Sequence, residues 1–101
     1  MNEAQRQEII GILRENADEY YRNAIDTKKK KDYNTSATLF FKALSALCDL
    51  YIVINNNYFP TNHSDRFRIL EFKYKELYEM MDKDFSIYQD SYRTKLNDEI
   101  C

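Results

Sequence analysis

Apolar side chains recur along this chain at alternating steps of three and four residues, the spacing that lines one face of an α-helix. Ile9, Leu13, Ala17, Tyr20, Tyr21, Ala24 and Ile25 form the first such stripe and predict a helix of roughly 20 residues. The lysines from Lys28 to Lys31 suit its C-terminus, where the helix macrodipole is negative. With no Arg or aromatic residue interleaved, they read as a solvated helix end rather than a phosphate-binding patch. Asp32, Asn34 and Thr35 are acceptable N-caps for a second helix, carried by Ala37, Phe40, Phe41, Leu44, Leu47, Cys48, Tyr51 and Ile52. This is the most apolar segment, and its small residues Ala37, Ala43, Ser45 and Ala46 allow close approach, as in the central helix of a bundle.

Asn55 to Asn57 end that pattern, and a connection containing Pro60 runs to about Asn62. A third helix is expected from Asn62 or Ser64, presenting Phe67, Leu70, Tyr74, Leu77, Tyr78 and Met81. Arg68, Lys75, Glu76 and Glu79 occupy its opposite face. The polar residues Asp82 to Asp84 predict a break with Asp84 as a cap, and Phe85, Tyr88, Tyr92 and Leu96 predict a fourth helix reaching nearly to Cys101. The expected fold is all-α: one antiparallel four-helix bundle over residues 1–101, with long helices and short connections.

Composition agrees with helices. One Gly and one Pro among 101 residues leave too few turn-formers for an all-β fold. The net charge of −2 is spread without a basic arm, which argues against a general nucleic-acid binder. The apolar run from Leu39 to Ile54 is interrupted by Lys42 and Asp49 and is shorter than the ~20 apolar residues that cross a bilayer, so it reads as a core helix. Glu3, Arg6 and Glu8 stand where a signal peptide would be apolar, and two cysteines make neither a disulfide framework nor a zinc site. A cytoplasmic protein without membrane contact is expected. Asn34-Thr35-Ser36 and Asn62-His63-Ser64 match the glycosylation pattern but read as helix starts.

Several chemistries are excluded by what is missing. Gly11 is the sole glycine, so there is no phosphate-cradling loop for a P-loop or Rossmann site. A di-iron bundle needs Glu-x-x-His pairs, whereas Glu76 is followed at that spacing by Glu79. No metal or other cofactor is expected. Cys48 sits buried among apolar neighbours and Cys101 on a free end, so neither is expected to be a nucleophile. Arg66 and Arg68, flanking Phe67, are candidates for holding an anion such as a nucleotide phosphate, with surface pairing to Asp65, Glu71 or Asp90 as the competing reading. The nine tyrosines exceed what one thin core requires. Tyr74, Tyr78, Tyr88 and Tyr92 are therefore candidates for a subunit interface, since tyrosine suits surfaces that are half apolar and half wet, with the rim of the core as the competing reading.

The long first helix, the segment Ser36-Ala37-Thr38-Leu39-Phe40-Phe41-Lys42-Ala43-Leu44, the loop Phe59-Pro60-Thr61-Asn62-His63-Ser64-Asp65 and the terminal Tyr88 and Tyr92-Arg93 together resemble a HEPN domain. The resemblance spans about residues 8 to 98. It implies a helical bundle that forms a homodimer, often working beside a minimal nucleotidyltransferase in toxin–antitoxin or defence pairs. It also implies, for active members, metal-independent RNA cleavage by an Arg followed after four to six residues by a His on the last helix. Arg93 matches the Arg, but Asp98, Glu99 and Ile100 stand where the His belongs. Without an imidazole there is no group titrating near neutrality to move the proton.

The leading expectation is thus a non-catalytic HEPN-like binding or partner module. In it Arg93, Arg66 and Arg68 meet a phosphate or an acidic partner surface. The alternatives are a metal-independent endoribonuclease using Arg93 with His63, the single histidine, or a purely structural assembly protein.

Overall fold

The computed structural model describes residues 1–97 and contains four helices: α1 (Glu3–Lys29), α2 (Tyr33–Asn56), α3 (His63–Lys73) and α4 (Lys75–Asp90). Among the described residues there is no strand, and the helices form an all-α bundle. A capping box starts α1: the Asn2 side chain accepts from the Gln5 amide while the Gln5 side chain accepts from the Asn2 amide.

The turn after α1 closes a Schellman arrangement. The Asp32 amide donates to the Thr27 carbonyl at 2.9 Å and the Lys31 amide to the Lys28 carbonyl at 3.0 Å. Lys31 adopts the left-handed conformation that this motif usually assigns to glycine, with φ 66°. The turn carries the chain into α2, whose start lies beside the end of α1: the buried Ser36 hydroxyl donates to the Ala24 carbonyl at 2.8 Å. At the other end, Arg6 Nη2 donates to the Ile54 carbonyl at 3.1 Å.

Helix α2 separates two apolar clusters. Ile10, Leu13 and Ala17 of α1 pack on Ala46 and Val53. On the other side, Phe41, Cys48 and Ile52 pack on Leu70 of α3 and Met81 of α4, with Phe67, Phe85 and Tyr88 around them. Phe41 lies at the centre of an aromatic group, stacked on Tyr88 at 4.5 Å and tilted against Phe85 at 5.5 Å. Truncating a buried ring of this kind costs about 3–5 kcal/mol, so this cluster is a principal source of stability.

Three helix limits differ from the sequence expectation. The expected third helix is divided at Tyr74, where φ −136° and ψ 70° interrupt the helical path between α3 and α4. The Tyr74 hydroxyl is tied to the Asn56 side chain and its ring meets Tyr51 edge-on at 4.9 Å, so the break is held by α2. No break occurs at Asp82 to Asp84; α4 passes through them, with Asp82 and Lys83 on its exposed side and Met81 and Phe85 turned inward.

The fourth helix ends at Asp90 instead of continuing past Arg93, with Ser91 as its cap. Asn34 explains this end. Its side-chain amide donates to the carbonyls of Ser91 and Thr94 at 2.8 and 2.7 Å, and its carbonyl oxygen accepts from the Leu96 amide at 2.7 Å. These bonds replace the ones a continuing helix would make. Asn34 is thus a clamp rather than the cap of α2. Asn62, in contrast, is the cap of α3, accepting from the Asp65 amide at 2.9 Å.

Replacing Lys31 by Gly removes the steric cost of a Cβ at positive φ, roughly 1 kcal/mol. The Lys31→Gly variant is expected to unfold at higher urea concentration than the parent chain, with an unchanged denaturant slope.

Candidate functional site

The densest group of ionisable side chains joins the first turn of α3 to the middle of α2. Arg66 Nε donates to Asp49 Oδ1 at 2.7 Å and Nη2 to Asp49 Oδ2 at 2.9 Å, a two-pronged ion pair. Both residues are buried, Asp49 at 5% and Arg66 at 8% exposure. The third guanidinium nitrogen, Nη1, donates to His63 Nδ1 at 2.6 Å. A guanidinium only donates, so Nδ1 must be the accepting nitrogen and the ring proton sits on Nε2.

His63 and Arg66 meet because residues three apart share a helix face. The His63 ring also lies 5.5 Å from Phe41 and 6.1 Å from Phe85. Partial burial, then the adjacent Arg66 charge, lower the His63 pKa below 6.5, with Asp49 opposing. The imidazole is therefore neutral at pH 7. Burial pushes the neighbouring Cys48 thiol up to about 12, with Asp49 adding to the effect, so this cysteine stays a thiol and is no nucleophile at neutral pH.

The loop before α3 is organised by Asp65. Its Oδ2 accepts from the Tyr58 hydroxyl at 2.6 Å and the Thr61 amide at 3.0 Å, while Oδ1 accepts from Arg68 Nη2 at 2.6 Å. These donors, the Tyr58 hydroxyl foremost, hold the Asp65 carboxyl well below the ordinary carboxylate range. Arg68 is exposed and paired with Asp65, one of the surface partners expected of it.

Arg93 does not lie in the middle of the fourth helix, as expected, but in the turn beyond α4, exposed and with no side-chain partner among the described residues. The positions Asp98, Glu99 and Ile100, where the ribonuclease His would stand, lie outside the described residues. The structure thus brings His63 to Arg66 and Asp49. Sequence reasoning passed over Asp49 as a site residue and noted it only as an interruption. A charge inside an apolar helical run was the available signal, because buried charges require partners.

The four tyrosines named as interface candidates divide. Tyr74, Tyr78 and Tyr88 are half-buried, in contact with Tyr51, Phe67 and Phe41 respectively. Tyr92 is 73% exposed and shares a hydrogen bond of 2.7 Å with the Tyr88 hydroxyl.

A second feature is an apolar groove of about 540 Å³ that runs along α2 between α1 and α4. Phe40, Leu44 and Leu47 line it from α2, Tyr21 from α1, and Met80 and Ile87 from α4. Lys83 and Asp84 are its charged members. Asp84 Oδ2 is out of reach of water and has no hydrogen-bond donor, and burial raises the pKa of this carboxyl. Among the described residues no group of acidic, His or Cys side chains is arranged to hold a metal ion.

Comparison with family models, with curated proteins and with solved structures finds no match to this chain.

Two outcomes test the buried cluster. Removing one partner leaves an uncompensated buried charge, at a cost of about 3–5 kcal/mol. Asp49→Leu and Arg66→Met should each lose roughly this much in urea unfolding, and the double variant should lose far less than their sum. Second, a histidine whose folded pKa lies below its unfolded value of 6.5 binds fewer protons when folded. Stability therefore rises with pH through the interval between the two values and is lost as pH falls through it. The melting temperature should fall more between pH 7 and pH 5 in the parent chain than in His63→Gln. Equal pH profiles would refute the lowered His63 pKa.

Proposed function

We propose that this chain is a non-catalytic helical binding module of HEPN-like, antiparallel-bundle type. In this reading it is cytoplasmic, forms a homodimer, and works beside a minimal nucleotidyltransferase-like protein in a toxin–antitoxin-like pair. The carrying observation is the state of the groups that nuclease chemistry would need. The His63 nitrogen able to accept a proton is occupied by Arg66, and that guanidinium is committed to Asp49. Arg93 stands apart from this cluster on the surface turn after α4.

General acid–base attack on a phosphodiester requires an imidazole whose accepting nitrogen faces the substrate, next to a cation free to hold the phosphate. Here the imidazole and its nearest cation satisfy each other. The open apolar groove supports binding instead, since exposed apolar surface of this kind marks sites of association. The exposed Arg68 and Arg93 are then available to an acidic partner surface or a phosphate, whereas Arg66 is not.

RNA incubated with the purified protein and a chelator should remain full length on a denaturing gel. Cleavage that disappears in both Arg93→Ala and His63→Ala would establish the ribonuclease instead. Co-expression with the product of an adjacent nucleotidyltransferase gene should yield a complex on size-exclusion chromatography, and independent elution would remove the partner assignment.

A further inference from the structure

The groove-side face of α2 carries Phe40, Leu44, Leu47, Tyr51 and Ile54, at steps of four, three, four and three. That is the heptad seam by which one helix packs against another, and it extends roughly 21 Å at 1.5 Å per residue. Much of it is uncovered: Leu47, Tyr51 and Ile54 are 51%, 45% and 42% exposed. A helix as apolar as α2 is ordinarily enclosed on all sides, yet only half of its most apolar stretch is buried within this chain. By length and composition alone that stretch passes as a membrane span, but its Asp49 is held in a buried ion pair and both its flanks are packed against other helices.

The fold is 19 Å across its shortest axis, and among the described residues Tyr21 and Tyr74 only partly cover the seam.

We propose that the groove between α1 and α4 is the face through which two copies of this chain associate about a two-fold axis, α2 against α2, with Lys83 of each copy paired to the partner's Asp84. This rests on the homodimer in the reading above and assigns its surface. A two-fold interface must complement itself, and this face does: it is apolar with one cation and one anion side by side.

The level of that pair along α2 also fits. Tyr88 lies on Phe41 and Tyr74 on Tyr51, which sets Asp84 beside the middle of α2, near Leu44. A two-fold axis crossing α2 at its midpoint therefore brings the two Lys83–Asp84 pairs together.

Charge reversal tests this. Sedimentation equilibrium at micromolar concentration should show a dimer for the parent chain. Lys83→Glu, Asp84→Lys and Leu47→Glu should each weaken it at least tenfold while keeping the helical circular dichroism. An equimolar mixture of Lys83→Glu and Asp84→Lys should regain dimerisation, because the mixed pair restores both attractions. A dimer indifferent to all three changes would overturn this face and leave homodimerisation standing. A strict monomer would overturn both, as would a parent monomer whose groove instead takes up a synthetic amphipathic helix carrying a lysine. None of these results alters the RNA test of catalysis.

Discussion

One helix walls two separate apolar clusters, and this demand on α2 shapes most of the rest. On one side it meets α1 through Ala46 and Val53, where small side chains let the two backbones approach. On the other it meets α3 and α4 through Phe41, Cys48 and Ile52, where large rings fill a wider space. A helix with two buried faces has little circumference left for polar residues. Asp49 therefore sits where water cannot serve it, and its charge is tolerable because Arg66 reaches it with two hydrogen bonds. The ion pair is a consequence of the double core, and it fixes α3 against α2 in a way that apolar contacts, which have no direction, do not.

The break at Tyr74 follows from the same geometry. Divided in two, the segment delivers Leu70 from α3 and Met81 from α4 into a single cluster, both fully buried. Nothing local compels the division, since there is no Gly or Pro near it. Its holds are tertiary: the Tyr74 hydroxyl on Asn56 and its ring on Tyr51, both supplied by α2.

This separates what the sequence discloses from what it conceals. The stripes of α1 and α2 are long enough for periodicity to define them, and the Asn62 cap was legible from its residue type. The limits of α3 and α4 were not, because each depends on a residue distant in the chain. Asn34 ends α4 by donating to two carbonyls and accepting from one amide, 57 to 62 positions away. The charged triplet at Asp82 was misjudged as a break because a helix accommodates residues such as Asp82 and Lys83 wherever they face solvent, and here accommodates Asp84 half-buried. In the site, His63 and Arg66 were each visible, but His63 was put with Arg93 and Arg66 with surface carboxylates, and their three-residue separation on a helix was the unread signal of their contact. Asp49, seventeen residues before Arg66, was hidden by the same rule that makes tertiary contacts unreadable from local pattern.

The juxtaposition of a histidine and an arginine does not by itself make a phosphodiesterase, and the hydrogen-bond directions here show why. With Nδ1 accepting from Arg66, His63 presents only an N–H at Nε2, so toward any substrate it is a donor and not a base. To accept a proton at Nε2 it would need to carry one at Nδ1, facing a guanidinium that has no lone pair to receive it. Once protonated on both nitrogens the ring would be a second cation beside Arg66, and this repulsion adds to the larger effect of partial burial in holding the imidazole pKa below its ordinary value. Nor can Arg66 turn outward to hold a phosphate without leaving Asp49 as an unpaired buried charge, a change that opposes ligand binding by several kcal/mol. The cluster is locked by its own satisfaction, and the surface with unmet demands is the groove on the opposite side of α2, where apolar side chains remain wet.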